Sequence, residues 1–321
     1  MSEGPPPDLE NDSDPDEADG AVSPRGGTVA RFFLLPLAVV GAAVLIFLAF
    51  SLITFERRTP ADYLQEVRGG TANRRWQAAF ELSREVGRIP AGPERDALGA
   101  ETLRIFEGLS GKREEDVRVR RYLVLVLGRL QSRPAVPQLI AATRDPDSET
   151  SLYAVWALGM IGDASALDAV LASSLSDDAG ARKMAAYVLG RLQDRRAVAR
   201  LKVLMEDAVA DVRWNAAISL ASLGDASGLS VLRSVVDRDS LSRQAALSAD
   251  QSEVAIVGAL KAIEMLRDKD SLPLLERVAR DDPNLRVRAA ARAAIDAIRG
   301  PAAPEKPVSL NVERPESVLV V

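Results

Sequence analysis

Residues 211–226 read Asp211-Val212-Arg213-Trp214-Asn215-Ala216-Ala217-Ile218-Ser219-Leu220-Ala221-Ser222-Leu223-Gly224-Asp225-Ala226, and the same phrase returns along the chain. Leu130, Ile161, Leu192 and Leu223 stand 31 residues apart, and so do Leu139, Val170, Leu201 and Leu232. Ala135, Ala166, Ala197 and Gly228 keep that step, as do Asp163, Asp194 and Asp225. A fixed period of this size marks a stack of supersecondary units, each unable to bury its apolar face alone. The register runs from Asp116 to Asp237 and sets the fold class as all-α, an α-α superhelix or solenoid.

Inside one unit, Val212, Ala216, Ala217, Leu220 and Leu223 fall at helical spacing, and a short turn follows. Gly162-Asp163 and Gly224-Asp225 supply that turn, the glycine for its freedom at positive φ and the aspartate as a cap on the next helix. The second helix, such as Ala166 to Leu175, carries its own apolar side at Leu167, Val170 and Leu171. Neither helix is long enough to stand alone in water, so stacking must supply the missing burial.

Outward from these units the pattern loosens. Arg75-Trp76-Gln77-Ala78-Ala79 repeats Arg213-Trp214-Asn215-Ala216-Ala217, so the stack begins near residue 72. Both tryptophans read as inter-helix packing. Pro90 and Pro93 precede a second helix around Asp96 to Leu109. Thr59-Pro60 opens a capping or linking helix within 57–71, and Gly69-Gly70 stops it. Leu266 answers Leu223 after 43 residues instead of 31, which places twelve extra residues within Arg238 to Gln251. Insertions in solenoids form exposed loops or an extra helix on one face. Val287-Arg288 to Ile298 supplies the first helix of a seventh unit, so the solenoid covers 72–300 in about six to seven units.

The ends have different chemistry. Residues 1–30 hold Pro5-Pro6-Pro7 and a run of acids with almost nothing large and apolar, the composition of a disordered tail. From Phe32 to Phe55 no residue is charged, and Arg31 and Glu56-Arg57-Arg58 bracket the run. At 1.5 Å per residue it would span about 36 Å, enough for a hydrocarbon core of about 30 Å. A single transmembrane helix is therefore expected over 31–56. Arg57, Arg58, Arg68, Arg74 and Arg75 outnumber Arg25 and Arg31, which favours the cytoplasm for the repeat domain of an inner-membrane protein. Residues 301–321 form a proline-containing tail, also read as disordered, that ends Val318-Leu319-Val320-Val321. An apolar carboxyl terminus can add a strand to a peptide-binding groove, although a pattern this short also arises by chance.

Composition excludes more than it assigns. The chain has no Cys and no His, which removes thiolate nucleophiles, imidazole bases, disulfides and most zinc sites. Of the net charge of −5, residues 1–31 carry −6 and the remainder +1. A near-neutral body with 4% aromatic residues lacks the basic excess and the stacking platforms of a nucleic-acid binder.

The quoted unit resembles a HEAT repeat of the short phycobilisome-lyase-like kind. Its marks are the Val-Arg start, the Ala-Ala pair, Leu-Gly and the Gly-Asp turn, and they recur in Tyr187-Val188-Leu189-Gly190-Arg191-Leu192 and Trp156-Ala157-Leu158-Gly159. Unit five departs from the pattern with Ala221 at the Gly159 position. The resemblance covers roughly residues 72–299. It implies an α-helical superhelix, HEAT- or armadillo-like, whose second helices line a concave face that holds other proteins.

Two sets of positions are candidates for function. Arg120, Arg182, Arg213 and Arg288 share one repeat position, where a recurring arginine ties neighbouring units through acids. On the second helices, one position reads Ile140, Leu171, Lys202, Arg233 and Glu276, the kind of variation that can encode a partner or simply face water. Gln138, Arg200, Lys202 and Arg233 are the partner-binding candidates. Asp177-Asp178 and Asp281-Asp282 read as helix caps, not metal ligands. No catalytic, cofactor or metal residue is expected. The expectation is a non-catalytic, membrane-anchored scaffold that binds other proteins, such as a membrane complex, and neither small molecules nor nucleic acid. The alternatives are a bilin-lyase-like cofactor chaperone and a nucleic-acid-binding HEAT-like domain.

Overall fold

The computed structural model describes residues 36–49, 58–110 and 113–300. The chain divides into two compact bodies, Met1–Arg57 and Arg58–Val321. In the first, residues 36–49 are helical and exposed throughout, a length of about 21 Å. Among the described residues no helix is long and apolar enough to cross a membrane. The expected span, Phe32 to Phe55, begins and ends outside the described residues, as do the tails 1–30 and 301–321.

The second body is a stack of helix pairs in the predicted register. Its cap is α1 (Pro60–Gly69), opened by Thr59 in a capping box: the Asp62 amide donates to Thr59 Oγ1 at 3.3 Å, and the Thr59 amide donates to Asp62 Oδ2 at 2.7 Å. The first helices of the units are α2 (Ala72–Glu85), α4 (Glu114–Arg129), α6 (Ser148–Ile161), α8 (Ala179–Arg191), α10 (Ala210–Ser222), α13 (Ala249–Leu266) and α15 (Leu285–Arg299). The second helices are α3 (Pro93–Gly108), α5 (Val136–Ala142), α7 (Leu167–Ser173), α9 (Val198–Leu204), α11 (Leu229–Val236) and α14 (Leu272–Asp281). Between α11 and α13 the inserted residues form an extra helix, α12 (Arg238–Gln244).

The turn inside each unit explains most of the recurring residues. Gly162 and Gly224 adopt φ of 70° and 73°, and the same register position is held at 52° by Gln131, 54° by Gln193 and 50° by Arg267. A left-handed residue ends every regular first helix here, and only two units use the residue that reaches it without strain. The glutamines recover part of that cost through their amides: Gln131 Nε2 donates to the Met160 carbonyl at 3.1 Å and Gln193 Nε2 to that of Gly190 at 2.6 Å. Asp163, Asp194 and Asp225 then each accept a backbone amide two residues on at 2.9 Å, and a 3-10 turn leads into the second helix. That turn presses Ala135, Ala166 and Ala197, all fully buried, against the layer of first helices. At Gly228 a Cβ would lie 2.9 Å from Ala217 Cα, so even a methyl group there would have to displace the backbone of α10.

Successive first helices approach closely at the glycine of the Leu-Gly motif. A Cβ on Gly128 would sit 2.7 Å from Ala157 Cα, one on Gly159 2.7 Å from Val188 Cγ2, and one on Gly190 2.9 Å from Ser219 Cα. Unit five has Ala221 there, and the stack changes at that point. One apolar cluster runs from Val67 to Leu223 and a second from Ala210 to Ile298, with α10 contributing Val212, Ala216 and Leu220 to the first and Trp214, Ala217 and Ala221 to the second. The inserted α12 clamps the second cluster. Leu241 is buried, Trp214 Nε1 donates to Gln244 Oε1 at 3.4 Å, Arg238 grips Asp282 at 2.6 and 2.9 Å, and Arg277 pairs with Asp237 at 2.7 Å. The insertion is a brace between units five and six.

Candidate functional site

The arginine position is a ladder between loops. Arg182, on α8, donates from Nη1 to the carbonyls of Ser176 and Asp177 at 3.0 and 2.8 Å, in the loop before its unit. The same guanidinium grips Asp207, in the loop after its unit, at 2.7 and 3.1 Å. Arg213 continues from the next unit onto the Asp207 and Ala208 carbonyls at 2.8 and 3.0 Å. Arg120 pairs with Asp145 at 2.8 Å and lies over the Phe106 ring at 4.4 Å. Ser151 takes the position in unit three and reaches only the Thr143 carbonyl, at 2.6 Å. Arg288 heads the last unit, and its Nε is buried without a hydrogen-bond partner. The ladder thus uses carbonyls as much as the acids that the sequence suggested, because loop carbonyls left over at helix ends lie within reach of a long planar donor.

A second ladder fixes the starts of the first helices. Asp147 caps α6 by accepting the Thr150 amide at 2.9 Å, and Arg121 of the preceding unit holds both of its oxygens at 2.6 and 2.7 Å. The Arg121 guanidinium, with Thr150 behind it, lowers the Asp147 carboxyl to about 2 against the opposing effect of burial. Asp178 caps α8 from the Ala181 amide at 2.7 Å, while Asp282 is taken up by Arg238 and leaves the cap of α15 to Asn284. No cluster of possible metal ligands occurs among the described residues.

The four partner-binding candidates all reach a neighbouring unit. Gln138 Nε2 donates to Glu107 Oε1 at 2.6 Å, while its Oε1 is buried and unpaired. Arg200 donates to the hydroxyl and the carbonyl of Ser174 at 2.8 and 2.6 Å. Lys202 pairs with Asp225 at 3.0 Å, and Arg233, one unit on, pairs with Asp268 at 2.5 Å and Ser271 at 2.8 Å. Lys202 and Arg233 therefore do the same thing: each reaches forward to the turn aspartate of the next unit. Ser227, with Lys202 assisting, lowers the Asp225 carboxyl to about 2. Burial raises the Asp268 carboxyl, yet Ser271 and Arg233 outweigh it and the net shift is downward. The structure brings these candidates together as ties along the second helices, not as one cluster.

Sequence reasoning passed over a row on the first helices. Phe80, Leu125, Trp156, Tyr187 and Ile218 occupy one register position, each in part open to solvent, with Phe80 and Tyr187 at 36% and 37% exposure. Tyr122 and Tyr153 lie one turn earlier, and the Phe80 and Tyr122 rings meet edge-on at 5.3 Å between centroids. The signal was present in the sequence, since Leu125, Trp156, Tyr187 and Ile218 keep the 31-residue step. Apolar residues at helical spacing also describe a core, and only the packed structure separates the two.

Against this geometry, the chain matches the HEAT repeats family over residues 107–187 and 170–251. None of the curated proteins matches it significantly in sequence. Among solved structures it is similar to the CpcE and CpcF complex of phycocyanin lyase from a Nostoc species, at 18% identity and a TM-score of 0.53, over 78% of this chain and 92% of that one. Weaker likenesses are to human deoxyhypusine hydroxylase (18% identity, TM-score 0.33, 74% and 95% covered) and a designed armadillo repeat protein (16%, 0.39, 75% and 100%). Residues 107–251 match HEAT repeats, and the described residues around them form a helical solenoid similar in fold to the Nostoc complex.

Proposed function

We propose that this protein is a membrane-anchored, non-catalytic scaffold whose repeat stack holds another protein at the membrane surface, at the inner membrane with the stack on the cytoplasmic side. The observation that carries the reading is the interlock between units. Arg182, Arg200, Lys202 and Arg233 each bond to a different unit, so the side chains that recur in register stiffen a long frame instead of converging on a reacting centre. A stiff frame with a large lateral surface suits holding. Gln138, Arg200, Lys202 and Arg233 border such a surface, and a partner that used them would have to displace an inter-unit bond at each. Support for the anchor is the run from Phe32 to Phe55, uncharged over its whole length, with residues 36–49 helical.

The test has two arms. The full chain should stay with membranes through carbonate extraction, and protease added to sealed cells should leave residues 56–321 intact until the cells are opened. Crosslinking followed by purification from detergent-solubilised membranes should return a defined protein partner. Release by carbonate removes the anchor from the account, and an empty capture removes the scaffold. A second reading, a lyase-like chaperone for an open-chain tetrapyrrole, draws on the fold likeness to the phycocyanin lyase complex. It requires a shift in the pigment's absorbance on mixing, and an unchanged spectrum dismisses it.

A further inference from the structure

The ties that run along the stack break off at one joint, between units five and six. Arg120 and Arg182 reach forward to Asp145 and Asp207, each 25 residues on. The same step from Arg213 lands on Arg238, a base where the acid should stand. Arg213 bonds backward instead, to the Asp207 and Ala208 carbonyls. In unit six the register position is Ile256, so the arginine ladder has no rung there.

Close packing of first helices is interrupted at the same place. Gly128, Gly159 and Gly190 each leave under 3.0 Å for a Cβ against the next unit, whereas unit five has Ala221 at that position. Across the joint, α13 has a single glycine, Gly258, and a Cβ there would meet only Ile218 Cδ1, at 3.5 Å, an ordinary contact. The apolar core divides here too, because α10 gives separate faces to the two clusters. Two blocks therefore meet across a looser seam, and interlocked packing, which makes the rest of the stack rigid, is weakest there.

The inserted α12 spans that seam with mostly polar contacts. Leu241 is its one buried apolar side chain, and Gln244 Nε2 donates to Ser234 Oγ in unit five at 3.3 Å. Towards the far side, Arg238 holds both oxygens of Asp282, at 2.6 and 2.9 Å. Asp237, which starts α12 by accepting the Ser240 amide at 3.0 Å, also takes Arg277 of α14 at 2.7 Å. Bidentate and capped charge pairs are directional, so they fix an angle more than they add burial. Arg277 is more than half exposed, and Asp237 and Arg238 are each about a third exposed, so these pairs can part without opening either block. A further tie, from Arg233 to Asp268 and Ser271 on the second helices, keeps the blocks joined. We propose that the stack bends at the joint between units five and six and that α12 is the clasp that sets the bend. With Arg238 on Asp282 and Arg277 on Asp237, the blocks hold one orientation; with those pairs open, they turn about α10 while each stays folded. The clasp goes beyond the scaffold reading and does not depend on what the stack carries.

The test is the distance distribution between paired spin labels on the full chain in detergent, read by double electron-electron resonance. The chain has no cysteine of its own, so labels go only where a cysteine is introduced. Ala172→Cys with Ala293→Cys spans the joint, and Ala100→Cys with Ala172→Cys lies within the first block; all three positions are exposed. Arg238→Ala with Arg277→Ala should broaden the cross-joint distribution about twofold or more and leave the within-block pair as it was. Because this variant strands the buried Asp282, Arg277→Ala alone, at an exposed pair, provides the second variant and should broaden the same distribution by a smaller factor. Arg121→Ala, which breaks a comparable pair inside the first block, should leave the cross-joint pair unchanged. Circular dichroism identifies the variants that fold. A cross-joint distribution unchanged in those variants, equal broadening of both label pairs, or an effect of Arg121→Ala as large as that of the clasp variants would overturn the clasp. Capture of a partner is measured separately, so the scaffold and the clasp can fail independently.

Discussion

Asp147 shows how much one side chain carries in this stack. It caps α6, and Arg121 of the preceding unit holds both carboxylate oxygens, so one residue starts a helix and fastens it to its neighbour. Its carboxyl is lowered from 3.8 to about 2. A depressed carboxyl contributes stability that is complete above about pH 4 and disappears as the pH falls through about 2. Asp147→Asn keeps a good capping group but loses the charge. The variant should be less stable than the wild type by about 1–2 kcal/mol at pH 7 and no less stable near pH 2. Urea midpoints at pH 7, 4 and 2.5 check this, and a difference that persists unchanged at the lowest pH would show that the charge is not the cause. In the sequence, the Asp177-Asp178 pair was legible as a helix cap at a unit junction, while Asp147 was passed over. That Arg121 would reach Asp147 while Arg120 reached Asp145 was not legible, since adjacent arginines on a helix differ by only a rotation that the fold must set.

At the scale of the element, the Leu-Gly glycine decides how closely first helices lie. A methyl group at Gly159 would come within 2.7 Å of Val188 Cγ2 and 3.1 Å of Cγ1. In an exposed helix Gly→Ala is favourable by about 1 kcal/mol, and here overpacking should reverse the sign to a loss of about 1–3 kcal/mol. Val188→Ala removes the two atoms in conflict, so the double variant should be more stable than the sum of the two single losses implies. A double-mutant cycle from denaturant titrations measures that coupling, and simple additivity would place the contact elsewhere. The motif was visible in the sequence as a recurring pair. Its purpose was not, because a glycine inside a helix can mark a kink, a cap or a close approach, and only the neighbouring helix selects among these. The inserted segment is a similar case: its length could be read from the shift between Leu223 and Leu266, but its role as a brace depends on Arg238 meeting Asp282, 44 positions away.

For the whole molecule, two apolar clusters share one helix. Helix α10 gives one face to the cluster that begins at Val67 and the other to the cluster that ends at Ile298. Nearest-neighbour coupling in a stack lets such blocks open separately when one is weakened. Trp214 belongs to the second cluster, and its replacement by Ala should cost about 3–5 kcal/mol there. Amide exchange in the variant should accelerate across 229–299 while 119–204 keeps most of its protection. Uniform loss of protection would mean that the stack opens as one unit.

The sequence by itself determined the repeat, its 31-residue step, the pairing of two helices in each unit and the turn between them. These follow from local rules: apolar spacing, the left-handed glycine and the aspartate cap act over a few residues and leave a periodic trace. The tertiary structure alone decided which side chains are spent between units and which are left to water. Lys202 and Arg233 read as partner-binding or solvent-facing positions in the sequence and are ties in the fold, while Trp156 and Tyr187, quoted there only as parts of the repeat motif, stand partly exposed. The reason is geometric. A repeat position fixes a direction from the helix axis, but whether that direction meets a neighbouring helix, a loop carbonyl or solvent depends on how adjacent units are turned and spaced, which no single unit encodes.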